Sequence, residues 1–166
     1  ADVQETIEET SEGKLSAAEK VKLESNYLRG QIPEDLADPT DHVSKSSTAL
    51  LKHHGTYQQD DRERRAEARV DGPAKAKFFS FMVRTAIPGG RLTSDQLLAE
   101  LDLCDEVGNT TLRITTRQGL QLHGILKADL KQTIARINEV QLTTLAACGD
   151  VKRNVMCSPC PFKGNA

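Results

Sequence analysis

Residues 112–124, LRITTRQGLQLHG, hold the side chains of this sequence best suited to binding chemistry. The stretch predicts a strand that runs to Arg117 and breaks at Gly119. Alternate side chains of a strand share a face. Leu112, Ile114 and Thr116 then point one way, and Arg113, Thr115 and Arg117 the other. Two guanidiniums on one sheet face are costly to bury unless anions meet them. Arginine is also the side chain best shaped for paired bonds to carboxylate or phosphate. The pattern points to a sheet floor for a polyanionic ligand, or else to a solvated strand face.

The elements that must position these arginines follow from periodicity. Residues 78–85, FFSFMVRT, are rich in strand formers. A Pro88-Gly89-Gly90 turn follows, and Thr93 with Gln96 spells a capping box. Leu97, Leu98, Leu101, Cys104 and Val107 recur at helical spacing up to Gly108. Strands are expected at 111–117 and 120–125. A helix opens at Asp129 with Leu130, Ile134, Ile137 and Val140 on one face, and a last short strand is expected at 142–147. The order β-α-β-β-α-β predicts an α+β, ferredoxin-like split βαβ domain. Its antiparallel sheet carries both helices on one face, leaving the other face open to a ligand.

The amino-terminal part is more polar. Residues 1–43 read as an extended arm, disordered over 1–14, with a short helix within 16–28 and breaks at Pro33 and Pro39. A short helix over 44–53 stops at Gly55, the polar run TYQQDDRERR spans 56–65, and 71–73 reads as a turn. The 166 residues suit one domain plus an arm. With 22 Lys+Arg against 24 Asp+Glu, the net charge of −2 argues against a general nucleic-acid or membrane binder. No apolar run reaches the roughly 18 residues of a membrane span. Four cysteines, at 104, 148, 157 and 160, make no secreted disulfide framework. A cytoplasmic setting is expected, or a plastid stroma in a plant or alga.

Four blocks stand in order: KHHGTYQQDDRERR at 52–65, FMVRTAIPGG at 81–90, LRITTRQGLQLHG at 112–124 and CGDVKRNV at 148–155. Together they closely resemble the amino-terminal part of the sirohaem and iron–sulfur sulfite reductases and the related nitrite reductases. The first and last blocks are more like the sulfite branch. The resemblance implies two cofactors, sirohaem and a 4Fe–4S cluster, and six-electron reduction of sulfite to sulfide. It also implies an electron donor, either ferredoxin or an NADPH-dependent flavoprotein. Sirohaem carries eight carboxylates, which suits arginine forks. By similarity Arg117, with Thr115, Thr116, Gln121 and His123, contacts the macrocycle, and Asn154 is a lesser candidate. Arg84 and Arg153 match the cations that hold the anionic substrate. Tyr57, Gln58, Arg62 and Arg65 match supports for the cofactor or a domain interface. His53 and His54 read as structural.

The resemblance further divides the chain into an arm (1–43), a ferredoxin-like half domain (44–147) and the start of the cofactor-binding domain (148–166). The cluster cysteines of that family lie in its carboxy-terminal half, so the expected reading is a fragment, inactive by itself, that needs the missing half. Cys157 and Cys160 do not match those ligands, and no metal is assigned to them. Cys104 reads as a small hydrophobe on a helix face. Two alternatives stay open. One is nitrite reduction to ammonia on the same scaffold. The other is a non-catalytic ferredoxin-like module that binds an anion, or RNA stacked on Phe78, Phe79 and Phe81. The acidic balance and the lack of an aromatic-glycine signature count against RNA.

Overall fold

The computed structural model describes residues 15–61, 77–148 and 151–158. The expected disorder over 1–14, the turn at 71–73, and Arg62, Arg65 and Cys160 lie outside the described residues. In chain order the elements are α1 (Ala17–Leu23), α2 (Ile32–Ala37), α3 (Lys45–Leu51), β1 (Thr56–Asp60), β2 (Phe79–Thr85), α4 (Ser94–Glu106), β3 (Leu112–Ile114), β4 (Leu120–Ile125) and α5 (Leu130–Glu139). The strands form one antiparallel sheet in the order β1-β2-β4-β3.

Strand alternation decides what faces the helices. Phe81, Val83 and Thr85 of β2 point to one side, and Leu120 and Leu122 of β4 join them. They meet Leu103 and Cys104 of α4 and Leu130 and Ile137 of α5 in a single core. Phe81 is fully buried, which contributes about 1.5–3 kcal/mol. It is therefore no platform for RNA bases. Arg84 and Gln121, paired across β2 and β4, emerge on the opposite face. The ferredoxin-like α+β expectation holds.

Several details differ from what the sequence predicts. The arginine strand is shorter: β3 ends at Ile114 and the chain turns. Thr115 N–H donates to Gly119 O at 2.8 Å, and Gln118 N–H donates to Thr115 O at 2.9 Å. Closing β3 onto β4 within a few residues needs this turn, so strict alternation stops before Arg117. The polar run at 56–60 is an edge strand, paired from Thr56↔Val83 to Asp60↔Phe79. It takes the free edge of β2, and the expected last strand at 142–147 shrinks to one bridge, Ala86↔Thr143. Gly55 sits where these segments meet. Its φ is +72° and an added Cβ would lie 2.1 Å from Thr144 O, so only glycine fits.

Two helices also differ. Pro33 occupies the first turn of α2 instead of ending a helix. Its missing N–H costs nothing at that position. In α4 the Thr93–Gln96 capping box forms in both directions, at 3.1 and 3.2 Å. However, Leu97, Leu98 and Leu101 are substantially exposed, and the inward face is Glu100, Leu103 and Cys104. That face has helical spacing too, but a carboxylate interrupts it and hides the period. α5 matches expectation, with Leu130 and Ile137 buried.

The arm segment is tied to the sheet domain. Ile32 and Leu36 pack against the core. The buried Lys127 ammonium donates to Asp35 O at 2.8 Å, and to Thr40 Oγ1 and His42 O at 3.1 Å each. No helix among the described residues is long and apolar enough to cross a membrane.

Candidate functional site

The open sheet face and the turn after β3 enclose a cleft of ≈540 Å³. Eight of the sequence-derived residues of interest line it: Arg84, Arg113, Thr115, Thr116, Arg117, Gln121, Arg153 and Asn154. Among the described residues the lining holds four arginines and no carboxylate. His123 is the one candidate site residue outside the lining, and it stands beside Gln121 on β4.

Each arginine reaches the cleft by a different device. Arg84 leaves β2 one residue before its end, and its guanidinium lies 5.2 Å over the Tyr57 ring of the neighbouring strand. Such stacking holds a cation without neutralising it. Gln121, its cross-strand partner, is assigned with its amide oxygen toward the guanidinium, where it accepts from Arg84 Nε at 2.8 Å and Nη2 at 3.0 Å. The opposite orientation would set NH₂ against guanidinium donors. Arg113 is exposed on β3, and Arg153 is exposed on the segment after Cys148.

Arg117 is placed by Asn154. The Asn154 side chain accepts from Ile87 N–H at 2.9 Å and donates to Ile87 O and Arg117 O at 2.8 Å each. In return Arg117 Nη2 donates to Asn154 O at 3.0 Å. Arg117 Nε, in contrast, is buried with no hydrogen-bond partner. A buried donor left bare costs about 1–3 kcal/mol. This is the orphaned donor that a ligand carboxylate would satisfy, and the four arginines of the lining suit a polycarboxylate such as sirohaem. Thr115 and Thr116 serve the turn and the rim. The Thr115 hydroxyl accepts from Gly119 N–H at 3.0 Å, and Thr116 is exposed.

The carboxy-terminal described segment is laced to the same wall. Gln118 donates to Cys157 O at 2.9 Å and accepts from Cys157 N–H at 3.2 Å. An isolated glutamine in a turn carries no pattern, so the sequence alone does not single out Gln118. Cys157 is exposed, with its thiol 2.8 Å from Gly89 O. Cys148 is buried and its thiol contacts the Tyr57 hydroxyl. Cys104 is buried in the core as expected, and burial pushes its thiol pKa up, with Asp105 and Glu100 adding to the effect. Gln58 accepts from Val43 N–H at 2.6 Å, which makes it a support for the arm. His54 bonds to Leu28 O at 3.0 Å, a structural contact as expected. Burial holds the His123 pKa below the ordinary histidine value, helped by the positive charge of Arg113 and Arg84.

Comparison with known proteins bears on this cleft. Residues 75–140 match the family model of the nitrite/sulfite reductase ferredoxin-like half domain. The chain is 50% identical over 160 residues to the sulfite reductase [NADPH] hemoprotein beta-component of Staphylococcus haemolyticus, covering 96% of this chain and 28% of that protein. It is 52% identical over 148 residues to the protein of the same name from Myxococcus xanthus, covering 89% and 26%. Among solved structures, the Mycobacterium tuberculosis NirA protein superposes with a TM-score of 0.70 at 28% identity, over 89% of this chain and 28% of that one. The chain thus spans little more than a quarter of the length of these relatives.

Proposed function

We propose, for a chain that carries the ferredoxin-like half domain of the nitrite and sulfite reductases, that its cationic cleft holds the carboxylates of sirohaem in a longer sulfite-reducing enzyme. The observation that carries this reading is the bare, buried Nε of Arg117 in a cleft lined by four arginines and no carboxylate among the described residues. In this reading residues 1–43 are an arm, 44–147 the half domain, and 148–166 lead into the cofactor-binding domain. When bound, sirohaem coupled to a 4Fe–4S cluster would relay six electrons from an external donor to sulfite, giving sulfide. The cluster ligands would come from outside this chain. Its similarity to the sulfite reductase [NADPH] beta-components favours an NADPH-linked donor over ferredoxin.

The residues present do three jobs. Arg117 donates to a ring carboxylate while Asn154 fixes its backbone. Thr115, Thr116 and Gln121 line the remaining wall. Arg84 and Arg153 bind and orient the substrate anion and stabilise charge on departing oxygens. Their guanidiniums carry donors only, so they hold the anion through charge-assisted hydrogen bonds. With four arginines and no carboxylate among the described lining residues, the potential there is positive, which draws in an anion.

The test uses the full-length protein and reads sirohaem absorbance per polypeptide. Arg117→Ala should lower retention about tenfold, the loss of one strong charge-assisted contact. Normal retention would remove Arg117 from the cofactor site. Arg153→Ala should keep the cofactor and slow sulfite turnover; an unchanged rate would remove it from the substrate site. The family model covers nitrite reductases as well, so a higher kcat/KM for nitrite than for sulfite would move the assignment to that branch.

A further inference from the structure

The contact between Gln121 and His123 has a consequence for Arg84. One end of the Gln121 amide lies 3.3 Å from His123 Nε2. With the amide oxygen committed to Arg84 Nε and Nη2, that end is the NH₂ group, which can only donate. His123 Nε2 must therefore be the acceptor, and the ring proton sits on Nδ1. A chain of fixed polarity results: Arg84 donates to Gln121, and Gln121 donates to a neutral His123. The guanidinium alone disfavours a turned amide, which would set NH₂ against its donors. The His123 acceptor adds to that preference by bonding the NH₂ end and holding the amide plane in place. From the other side, the Tyr57 ring lies 5.2 Å from the same guanidinium.

From this geometry we propose that Gln121 and His123 are positioning residues that aim the Arg84 guanidinium into the cleft. The proposal rests on the reading of the cleft as the anion site. It gives His123 a role distinct from direct contact with a cofactor, in keeping with its place outside the cleft lining. Arginine has many rotamers, and ordering them in advance is worth measurable affinity. Neutral partners suit this task, since a carboxylate in the place of Gln121 would cancel the charge that the anion needs.

The experiment measures nitrite binding to the full-length, sirohaem-loaded protein by optical titration, together with sirohaem content. His123→Leu removes the acceptor, and nitrite affinity should fall about fivefold with sirohaem content retained. His123→Gln places an amide oxygen near the position of Nε2 and should restore most of that loss. Gln121→Met should weaken binding by at least as much as His123→Leu, and the double variant should be no weaker than Gln121→Met alone, because both act through one chain of bonds. A His123→Gln variant as weak as His123→Leu, additive losses in the double variant, or loss of sirohaem from His123→Leu would each overturn the proposal. Sirohaem retention in Arg117→Ala decides the wider reading separately, so failure of one is told apart from failure of the other.

Discussion

The two faces of β2 treat polar groups in opposite ways. On the cleft face, Arg84 and Arg117 are held by amides and carbonyls that leave their charge intact. On the core face, Thr85 is buried beside Glu100 of α4, itself 1% exposed. Neither Glu100 oxygen nor the Thr85 hydroxyl makes a hydrogen bond of ordinary geometry. Burial pushes the Glu100 carboxyl up, and the nearby Thr85 hydroxyl opposes this only in part. Adjacent residues of one strand thus serve a surface that preserves charge and an interior that suppresses it. The lesson is that partner chemistry decides the outcome: a neutral amide holds an ion without discharging it, whereas an interior without partners disfavours the charge.

The sharpest break in this contrast is at Asn154, which makes three bonds to the backbone of Ile87 and Arg117, the two to Ile87 buried. Asn154→Ala should cost about 2–4 kcal/mol of stability, since Ile87 N–H and O and Arg117 O all lose their partner. Asn154→Asp should cost a comparable amount: one oxygen still accepts from Ile87 N–H, but the other faces two carbonyls. Denaturant melts of the full-length protein check both. If Asn154→Asp is as stable as the natural protein, the amide is not the pin and the account of the cleft wall fails.

Glu100 should move stability the other way. Glu100→Leu removes a buried polar group without a partner and should stabilise the protein by about 1–2 kcal/mol at neutral pH. The pH dependence has a definite sign. The folded carboxyl has its pKa raised above the unfolded value, so the unfolded chain releases its proton first as pH rises. The contribution of neutral Glu100 is therefore fully present below the unfolded value of about 4.3 and fades as pH rises toward the folded value. Glu100→Gln should flatten that slope. Melts across this range that show the same slope in both proteins would mean that Glu100 is ionised in the fold.

Much of this was legible in the sequence, for identifiable reasons. The capping box at Thr93 and the apolar stripe of α5 are local signals, and both appear as read. Arg84, Arg117, Arg153 and Asn154 were found because whole blocks resemble a family, and the structure gathers them in one cleft. What escaped was non-local. TYQQD reads as a polar run, yet it is a strand because β2 has a free edge for it. Glu100 masks the true inward face of α4, so the leucines of a neighbouring stripe attract the eye. The aim of Arg84 depends on which way Gln121 turns, and no spacing rule encodes an amide orientation.

The smallest expected effect separates charge from contact within the cleft face. Arg113 is exposed, so Arg113→Ala should leave stability within about 0.5 kcal/mol of the natural protein. Its positive charge nevertheless depresses the His123 pKa, second to burial and ahead of Arg84. Removing it should raise that pKa toward the ordinary histidine value, because one less cation opposes ring protonation. The shift should shrink as salt is added, since the Debye length falls to about 3 Å at 1 M. Titration of the His123 ring by NMR in the cofactor-free full-length protein reads this directly. A salt-independent shift would mean that Arg113 acts through a fixed contact, and an unchanged pKa would mean that burial and Arg84 suffice to hold it down.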